Sequence, residues 1–399
     1  MNSGFKAVKI SDSVYWVGVV DWGVRNFHGY LTSRGTTYNA FLVLADKVTL
    51  IDTVKACYGD EMMARISSVI DPRKIDYIVS NHSEMDHTGY LPALIEIIKP
   101  EKVFSSSMGK KALQLHFHWD QEIEVVKTGD KVELGNKTLS FVEARMLHWP
   151  DSMFTYLEDE GVLFTNDVFG MHLATSERFA DEIDPSLLKY EGAKYYANII
   201  LHLSSIVTKF LDKLPSFKLD IKIIAPDHGP VWREKLNQIV EWYAGWAAQE
   251  PTNKAVVVFD SMWGSTTNMA RAVGDGLAES GVSVKLMPLD GSHRSDVVTE
   301  ILEAGALIVG SPTINNQIYP TVADVMNYLK GLKPRNLVGA AFGSYGWSGE
   351  AVKHLNQIMQ DMNVDLVSEG ERSQYVPDSD VLTRCRNFGT LVASKMKTN

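Results

Sequence analysis

The 399-residue chain has only two cysteines, Cys57 and Cys385, and no C-x-x-C pair. A disulfide framework, a zinc ribbon and an iron–sulfur cluster therefore lack the sulfur they need, and a reducing compartment fits. No apolar run approaches the ~18–20 residues of a membrane span. The opening stretch "MNSGFKAVKISDSVYWVGVV" lacks the charged, apolar and small-residue regions of a secretory signal, so a cytoplasmic location is expected. Positive charge is also in deficit. With 39 Lys and Arg against 49 Asp and Glu, the net charge of -10 argues against general affinity for nucleic acid or anionic membrane.

What remains is a composition of 45% hydrophobic and 22% charged residues, which describes a soluble globular protein. The length predicts two or three domains. The first half opens with strand-like stretches: "VYWVGVV", then "NAFLVLAD" and "KVTLIDTV", the last two joined as a hairpin. A helical stretch, "GDEMMARISSVID", leads to the short apolar strand "IDYIVS" and then to "NHSEMDHTG", residues 81–89, read as a loop before the helix "GYLPALIEIIK". Three further strand-like runs end near a ligand-type side chain: "KTLSFVEAR" before His148, "GVLFTND" at Asp167 and "IKIIAPDHGP" at His228. Four such ends predict one site, because α/β proteins place chemistry on the loops that follow buried strands. From "AVVVFD" onward, strands and helices alternate as far as "DLVSEG", which predicts a doubly wound parallel sheet. The predicted domains are 1–251 and 252–399.

The candidate metal ligands are His82, Glu84, Asp86 and His87 within the loop, together with His148, Asp167 and His228. His116, His118, His202, His293 and His354 are read as ordinary packed or surface histidines, while His28 and His172 are left open. A four-helix di-iron site is excluded, since it needs two Glu-x-x-His motifs and the chain has only Glu84–His87. In the second half, "SMWGSTTN" (261–268) places hydroxyls and backbone amides at a helix start, a cradle for phosphate. It carries neither G-x-G-x-x-G nor a Walker lysine, which weighs against NAD, FAD and nucleoside triphosphates. "SPTINNQIYP" (311–320) and "FGSYGWSGE" (342–350) follow parallel strands at the same end. The candidate cofactor-binding residues are Ser261, Met262, Trp263, Gly264, Ser265 and Thr266; Ser311, Pro312, Thr313, Asn315 and Asn316; and Ser344, Tyr345, Gly346 and Trp347. Trp263, Tyr345 and Trp347 are suited to flank a flat ring.

The spacing H-x-E-x-D-H, followed by His148, Asp167 and His228, resembles the metallo-β-lactamase superfamily, whose αββα sandwich holds two metals at one edge. Zinc hydrolases of that superfamily carry histidine where this chain has Glu84. A carboxylate there makes the site harder and stabilises ferric over ferrous iron. The 261–268 loop resembles the phosphate loop of flavodoxin, which binds FMN, although Trp263 stands where threonine is usual. Together the halves resemble the flavodiiron protein family over essentially the whole chain, in its simplest two-domain class. The resemblance implies one iron on His82, Glu84 and His148, a second on Asp86, His87 and His228, and Asp167 as the bridge.

It also implies an enzyme that reduces dioxygen to water, nitric oxide to nitrous oxide, or both. Two electrons from a diferrous pair and two from reduced FMN equal the four that dioxygen needs. The implied donor is rubredoxin or a reduced deazaflavin. The implied assembly is a head-to-tail homodimer, alone or as a dimer of dimers, which brings the FMN of one subunit to the irons of the other. Trp149, Phe169, Tyr195, Tyr196 and His28 are candidates to wall the gas pocket, each equally well read as packing. The alternatives are a zinc-dependent hydrolase with a flavodoxin-like appendage, and a gas sensor.

Overall fold

A computed structural model describes residues 4–397, so the first three and last two residues of the predicted domains lie outside the described residues. The chain divides into two compact units. One runs to His28 and takes up Thr32–Tyr195 and Ser205–Ala244; the other holds Gly29–Leu31, Tyr196–Ser204 and everything described from Gly245 onward.

The first unit is built on two sheets. One orders Val8–Lys9, Val14–Trp16, Phe41–Val43, Thr49–Ile51, Tyr77–Ser80, Lys102–Ser105 and Glu124–Val125 side by side. The other orders Lys131–Glu133, Thr138–Glu143, Met153–Leu157, Val162–Phe164 and Ile223–Ala225. Alternation along each strand explains the layering, because successive side chains point to opposite faces. Phe41, Ile51, Val79 and Phe104 of the first sheet meet Phe141, Met153, Leu157 and Phe164 of the second in one core. Their neighbours Leu42, Leu50, Ile78 and Val103 point the other way, against Met62, Ile66, Leu94 and Ile95 of the outer helices. Phe210 of the helix Ser204–Lys213 covers Phe154 on the outside of the second sheet. The result is the predicted αββα sandwich. The "VYWVGVV" stretch differs from expectation by splitting in two, with Val19–Asp21 leaving the large sheet to pair Thr36–Tyr38. The break falls at Gly18, where an added Cβ would lie 2.2 Å from the Tyr38 carbonyl oxygen. Only glycine permits that approach.

In the second unit Ser283–Pro288, Lys254–Phe259, Ala306–Gly310 and Val338–Tyr345 lie in that order, all parallel. The chain therefore reverses its direction of winding beside Lys254–Phe259, and the loops after the central strands flank a crevice there. Asp365–Leu366 and Glu371–Gln374 pair successive parts of the last of these strands. The series extends past the predicted "DLVSEG" through Glu371–Gln374 to the helix Ser379–Met396, capped by Asp378 accepting the Val381 N–H at 2.9 Å. Among the described residues, no helix is long and apolar enough to cross a membrane.

Candidate metal centre and cofactor pocket

The buried strand Tyr77–Ser80 ends at Asn81, which is clamped by Asp52: the Asn81 N–H and Nδ2 donate to the two carboxylate oxygens at 2.7 and 2.8 Å. Beyond it the expected loop is partly a single helical turn, Met85–Thr88, entered through extended Glu84 and tied back by Thr88 Oγ1 donating to the Ser83 and Glu84 carbonyls. The turn keeps Asp86 and His87 inside, where a plain loop would leave their direction open. His148, Asp167 and His228 follow Thr138–Glu143, Val162–Phe164 and Ile223–Ala225, strands whose pairings make all three run the same way. Their ends therefore share one edge of the sheet.

All seven predicted ligands meet there. Ligand atoms of His82, Glu84, His148 and Asp167 lie within 4.8 Å of one another, as do those of Asp86, His87 and His228. Asp167 faces both groups with different oxygens. Its Oδ2 is 2.9 Å from His148 Nε2 and 3.8 Å from His82 Nε2, while Oδ1 is 3.1 Å from His87 Nε2 and 3.5 Å from His228 Nε2. Glu84 Oε2 closes the first group at 3.3 Å from His82 and 3.5 Å from His148, and Asp86 closes the second at 3.2 Å from His228.

The electrostatics are those of a cation site. Burial disfavours charge on Asp167, yet the facing imidazoles of His87 and His228 hold its carboxyl well below the usual range. Burial likewise opposes protonation of His87, but Asp86 and Asp167 push it up to about 9. Although they lie 3.1–3.5 Å from facing ligand atoms, both oxygens of Asp86, Oδ1 of Asp167 and Nε2 of His87 are buried and make no aligned hydrogen bond among the described residues. Buried polar atoms left so are rare, and a shared ion satisfies them all. Each group mixes imidazole with carboxylate, a donor set that suits iron, zinc or manganese. The residues fit a two-metal centre.

Three acids around this edge were not anticipated from the sequence. Asp151 Oδ2 lies 3.1 Å from His82 Nδ1 and accepts from the Ser83 N–H and Oγ at 2.6 and 2.7 Å. Asp52 clamps Asn81 as described, and Asp227 faces His87. Ligating histidines usually engage a carboxylate or carbonyl through their second nitrogen, so acids near each ligand were the signal to follow. His172 is buried with Nδ1 2.8 Å from Thr36 Oγ1, and burial together with His228 keeps its pKa well below normal. It packs beside the centre as a neutral ring. His28 is exposed, its Nε2 3.3 Å from Glu84 Oε1. Trp149 stands edge-on to His82 at 5.0 Å and Tyr195 lies 6.1 Å from His228, whereas Phe169 packs on Tyr243. Tyr196 belongs to the second unit, where its hydroxyl meets Ser204.

In the second unit the loop after Lys254–Phe259 turns through Gly264, at φ +85°, into the helix Ser265–Glu279. With the two later loops it encloses a cavity of about 560 Å³ lined by Met262, Trp263, Ser265, Pro312, Thr313, Asn315, Asn316, Ser344, Tyr345, Gly346 and Trp347. Ile314, Ser348, Tyr375 and Val376 line it as well, and were not anticipated. Four predicted residues do not line it and shape the loops instead. Ser261 Oγ accepts the Gly264 N–H at 3.1 Å, buried Thr266 bonds Ser344, and Ser311 Oγ accepts the Tyr319 N–H at 2.9 Å. Gly264 supplies the left-handed turn. Among the described residues the lining holds no lysine or arginine, so helix-start amides and hydroxyls are the donors it offers, as suits a phosphate monoester. Trp263 and Trp347 are 94% and 85% exposed at the rim, which suits a flat heteroaromatic ring. The residues fit FMN.

Two family models match the chain: ODP family beta lactamase over residues 36–229 and flavodoxin over 257–389. A nitric oxide reductase of Moorella thermoacetica is 47% identical, covering 98% of both chains. The solved structure of rubredoxin oxygen:oxidoreductase from Desulfovibrio gigas matches with a TM-score of 0.97 at 45% identity, over 98% of this chain and 99% of that one. The flavodiiron protein of Giardia intestinalis gives 0.95 at 32% identity, over 99% and 98%.

Proposed function

The chain belongs to the flavodiiron protein family, and on that premise we infer that it is an oxidoreductase that reduces dioxygen to water, nitric oxide to nitrous oxide, or both, with two non-haem irons and FMN. The observation that carries the reading is the division of Asp167 between two ligand groups, one oxygen to each. In this reading His82, Glu84 and His148 would hold one iron, Asp86, His87 and His228 the other, and Asp167 would serve both. When bound, the irons would supply redox-active Lewis acids for the gas and FMN further electrons from an external donor. Dioxygen takes four electrons and four protons to two waters; two nitric oxide molecules take two of each to nitrous oxide and one water.

The chain's own residues contribute position and charge. Four anionic carboxylates, Glu84, Asp86, Asp167 and the Asp151 behind His82, favour the higher charge state of bound metal. The helix start at Ser265 and the hydroxyls around it would hold the phosphate of FMN, and Trp263, Tyr345 and Trp347 would flank its ring.

The domain assignment is 1–251 for the diiron part and 252–399 for the FMN part, supported by family matches that fall on either side of residue 252, although Gly29–Leu31, Tyr196–Ser204 and residues 245–251 group with the second compact unit. Rubredoxin is the first donor to test, because a relative is named for it; a reduced deazaflavin is the second. The assembly is a head-to-tail homodimer, which family membership supports, and the location cytoplasmic, which the two unpaired cysteines support. A zinc hydrolase would need the same edge but is disfavoured by Glu84 and by oxidoreductase relatives over the whole chain.

The test is metal analysis followed by turnover. About two irons and one FMN per chain are expected, with repeated turnover of dioxygen or nitric oxide after anaerobic reduction. Stoichiometric zinc after growth in iron-replete medium would sink the reading, and a single stable gas adduct would point to a sensor.

A further inference from the structure

Each ligand histidine has two ring nitrogens, and a nitrogen committed to a metal leaves the other to be satisfied by the protein. His82 meets this requirement through Asp151, 3.1 Å from Nδ1. His228 meets it through the Thr37 carbonyl, 2.6 Å from Nδ1. His87 turns Nε2 toward Asp167 and Nδ1 toward Asp227 Oδ2 at 3.6 Å, just beyond a hydrogen bond.

Asp227 is fully buried, and among the described residues neither of its carboxylate oxygens has a hydrogen-bond partner; nor has His87 Nδ1. Its main chain is fully engaged, by contrast. The N–H donates to the Asn166 carbonyl and the carbonyl accepts from the Asn39 N–H, both at 2.7 Å. The backbone is thus pinned with the side chain aimed at the ring. Of the two acids that act on Asp227, Asp52 has its oxygens taken by Asn81 and Asp167 turns its own to the ligand histidines. A buried carboxylate that faces a donor and has no other partner calls for a specific explanation.

We propose that Asp227 is the positioning residue of His87: once a cation takes the place of the Nε2 proton, it accepts the Nδ1–H of the now neutral ring and thereby fixes the tautomer whose Nε2 lone pair faces the second metal position. This rests on the two-iron reading above. A rival role is direct ligation, since Asp227, His87 and Asp167 also offer atoms within 4.8 Å of one another. The two roles separate by chemistry. A carboxamide oxygen still accepts an N–H but is a poor anionic ligand.

The experiment uses the full chain with FMN bound, stripped of metal by a chelator and titrated anaerobically with ferrous iron. Asp227→Ala is expected to weaken the second ferrous equivalent by ~10–100-fold and to leave the first unchanged. Asp227→Asn is expected to recover most of that loss. His87→Ala and the double variant His87→Ala/Asp227→Ala are expected to bind alike, because Asp227 has no task once the ring is gone. Thermal unfolding of the iron-free chains controls for folding. Asp227→Asn should unfold no earlier than wild type, since an amide of the same shape replaces a buried carboxyl that makes no hydrogen bond among the described residues. If Asp227→Ala loses FMN or cooperative unfolding, Asp227→Ser takes its place.

Wild-type affinity in Asp227→Ala overturns the proposal. So does an Asn variant as impaired as the Ala variant, which would make Asp227 a ligand. A double variant weaker than His87→Ala overturns it too, because Asp227 would then act without the ring. Wild type taking up fewer than two equivalents overturns the two-iron reading, and this inference with it.

Discussion

The metal centre and the cofactor pocket solve recognition in opposite ways. At the centre, buried charged side chains from separate strand ends converge on common points, and several of their atoms make no hydrogen bond among the described residues. At the pocket, a neutral cavity is framed by backbone, hydroxyls and two tryptophans that face solvent. The first depends on side-chain identity, so one substitution removes a ligand. The second spreads its interactions over three loops, so one substitution removes a share. The contrast predicts steep mutational effects at one site and shallow ones at the other.

Glu84→His is the sharpest way to break that contrast. It converts the loop to the zinc-hydrolase pattern, and iron affinity is expected to fall beyond the ~100-fold upper end typical for outer partners of metal ligands. Unchanged iron content and unchanged oxygen reduction in this variant would count against the assignment of Glu84. Trp347→Ala probes the shallow side. Loss of one aromatic face costs about 0.5–1.5 kcal/mol, so FMN should bind roughly 2–10-fold more weakly, by fluorescence titration, with iron content unaltered. Complete loss of FMN would show that the pocket also hinges on single residues.

The smallest effect tests a carboxylate whose partners are complete without an ion. Glu160 accepts from Ser11 Oγ, Ser13 Oγ and the Ser13 N–H, and pairs with Lys137 at 2.8 Å. Burial would raise its pKa, but Lys137 and the serines lower it to about 2, from an ordinary 4.5. A depressed folded-state pKa contributes stability that is present above about 4.5 and is lost as pH falls toward about 2. Glu160→Gln should therefore cost about 1–2 kcal/mol in denaturant unfolding at neutral pH, with the gap to wild type closing in acid. A gap independent of pH would mean that charge is not what Glu160 contributes.

How far each site was legible follows from the same contrast. His82, Glu84, Asp86 and His87 crowd six positions, and residue types so specialised announce a metal at any reasonable register. Asp151 and Asp227 lie beside ligands in the sequence, yet nothing in one-dimensional order says which acid turns inward behind which ring. The short helix Met85–Thr88 was hidden because four residues carry too little periodicity to separate a turn from a loop. At the pocket, Ser261, Thr266 and Ser311 read as ligand hydroxyls but hold loops together, a use that serine and threonine serve equally well. Tyr375 and Val376 went unnoticed because they arrive after Glu371–Gln374, whose parallel pairing with Val338–Tyr345 is a long-range event.

By itself the sequence determined the two-part α/β architecture and the chemical class of both sites, since hydrophobic periodicity and ligand residue types are local properties. Only the tertiary structure decided which oxygen of Asp167 serves which group, and which acid or carbonyl stands behind each histidine. Those choices depend on side-chain direction at the ends of strands Thr138–Glu143, Val162–Phe164 and Ile223–Ala225 and on the turn after Tyr77–Ser80. Segments 191 residues apart meet there, as His228 and the Thr37 carbonyl do, and packing between the sheets sets their separation to within ångströms.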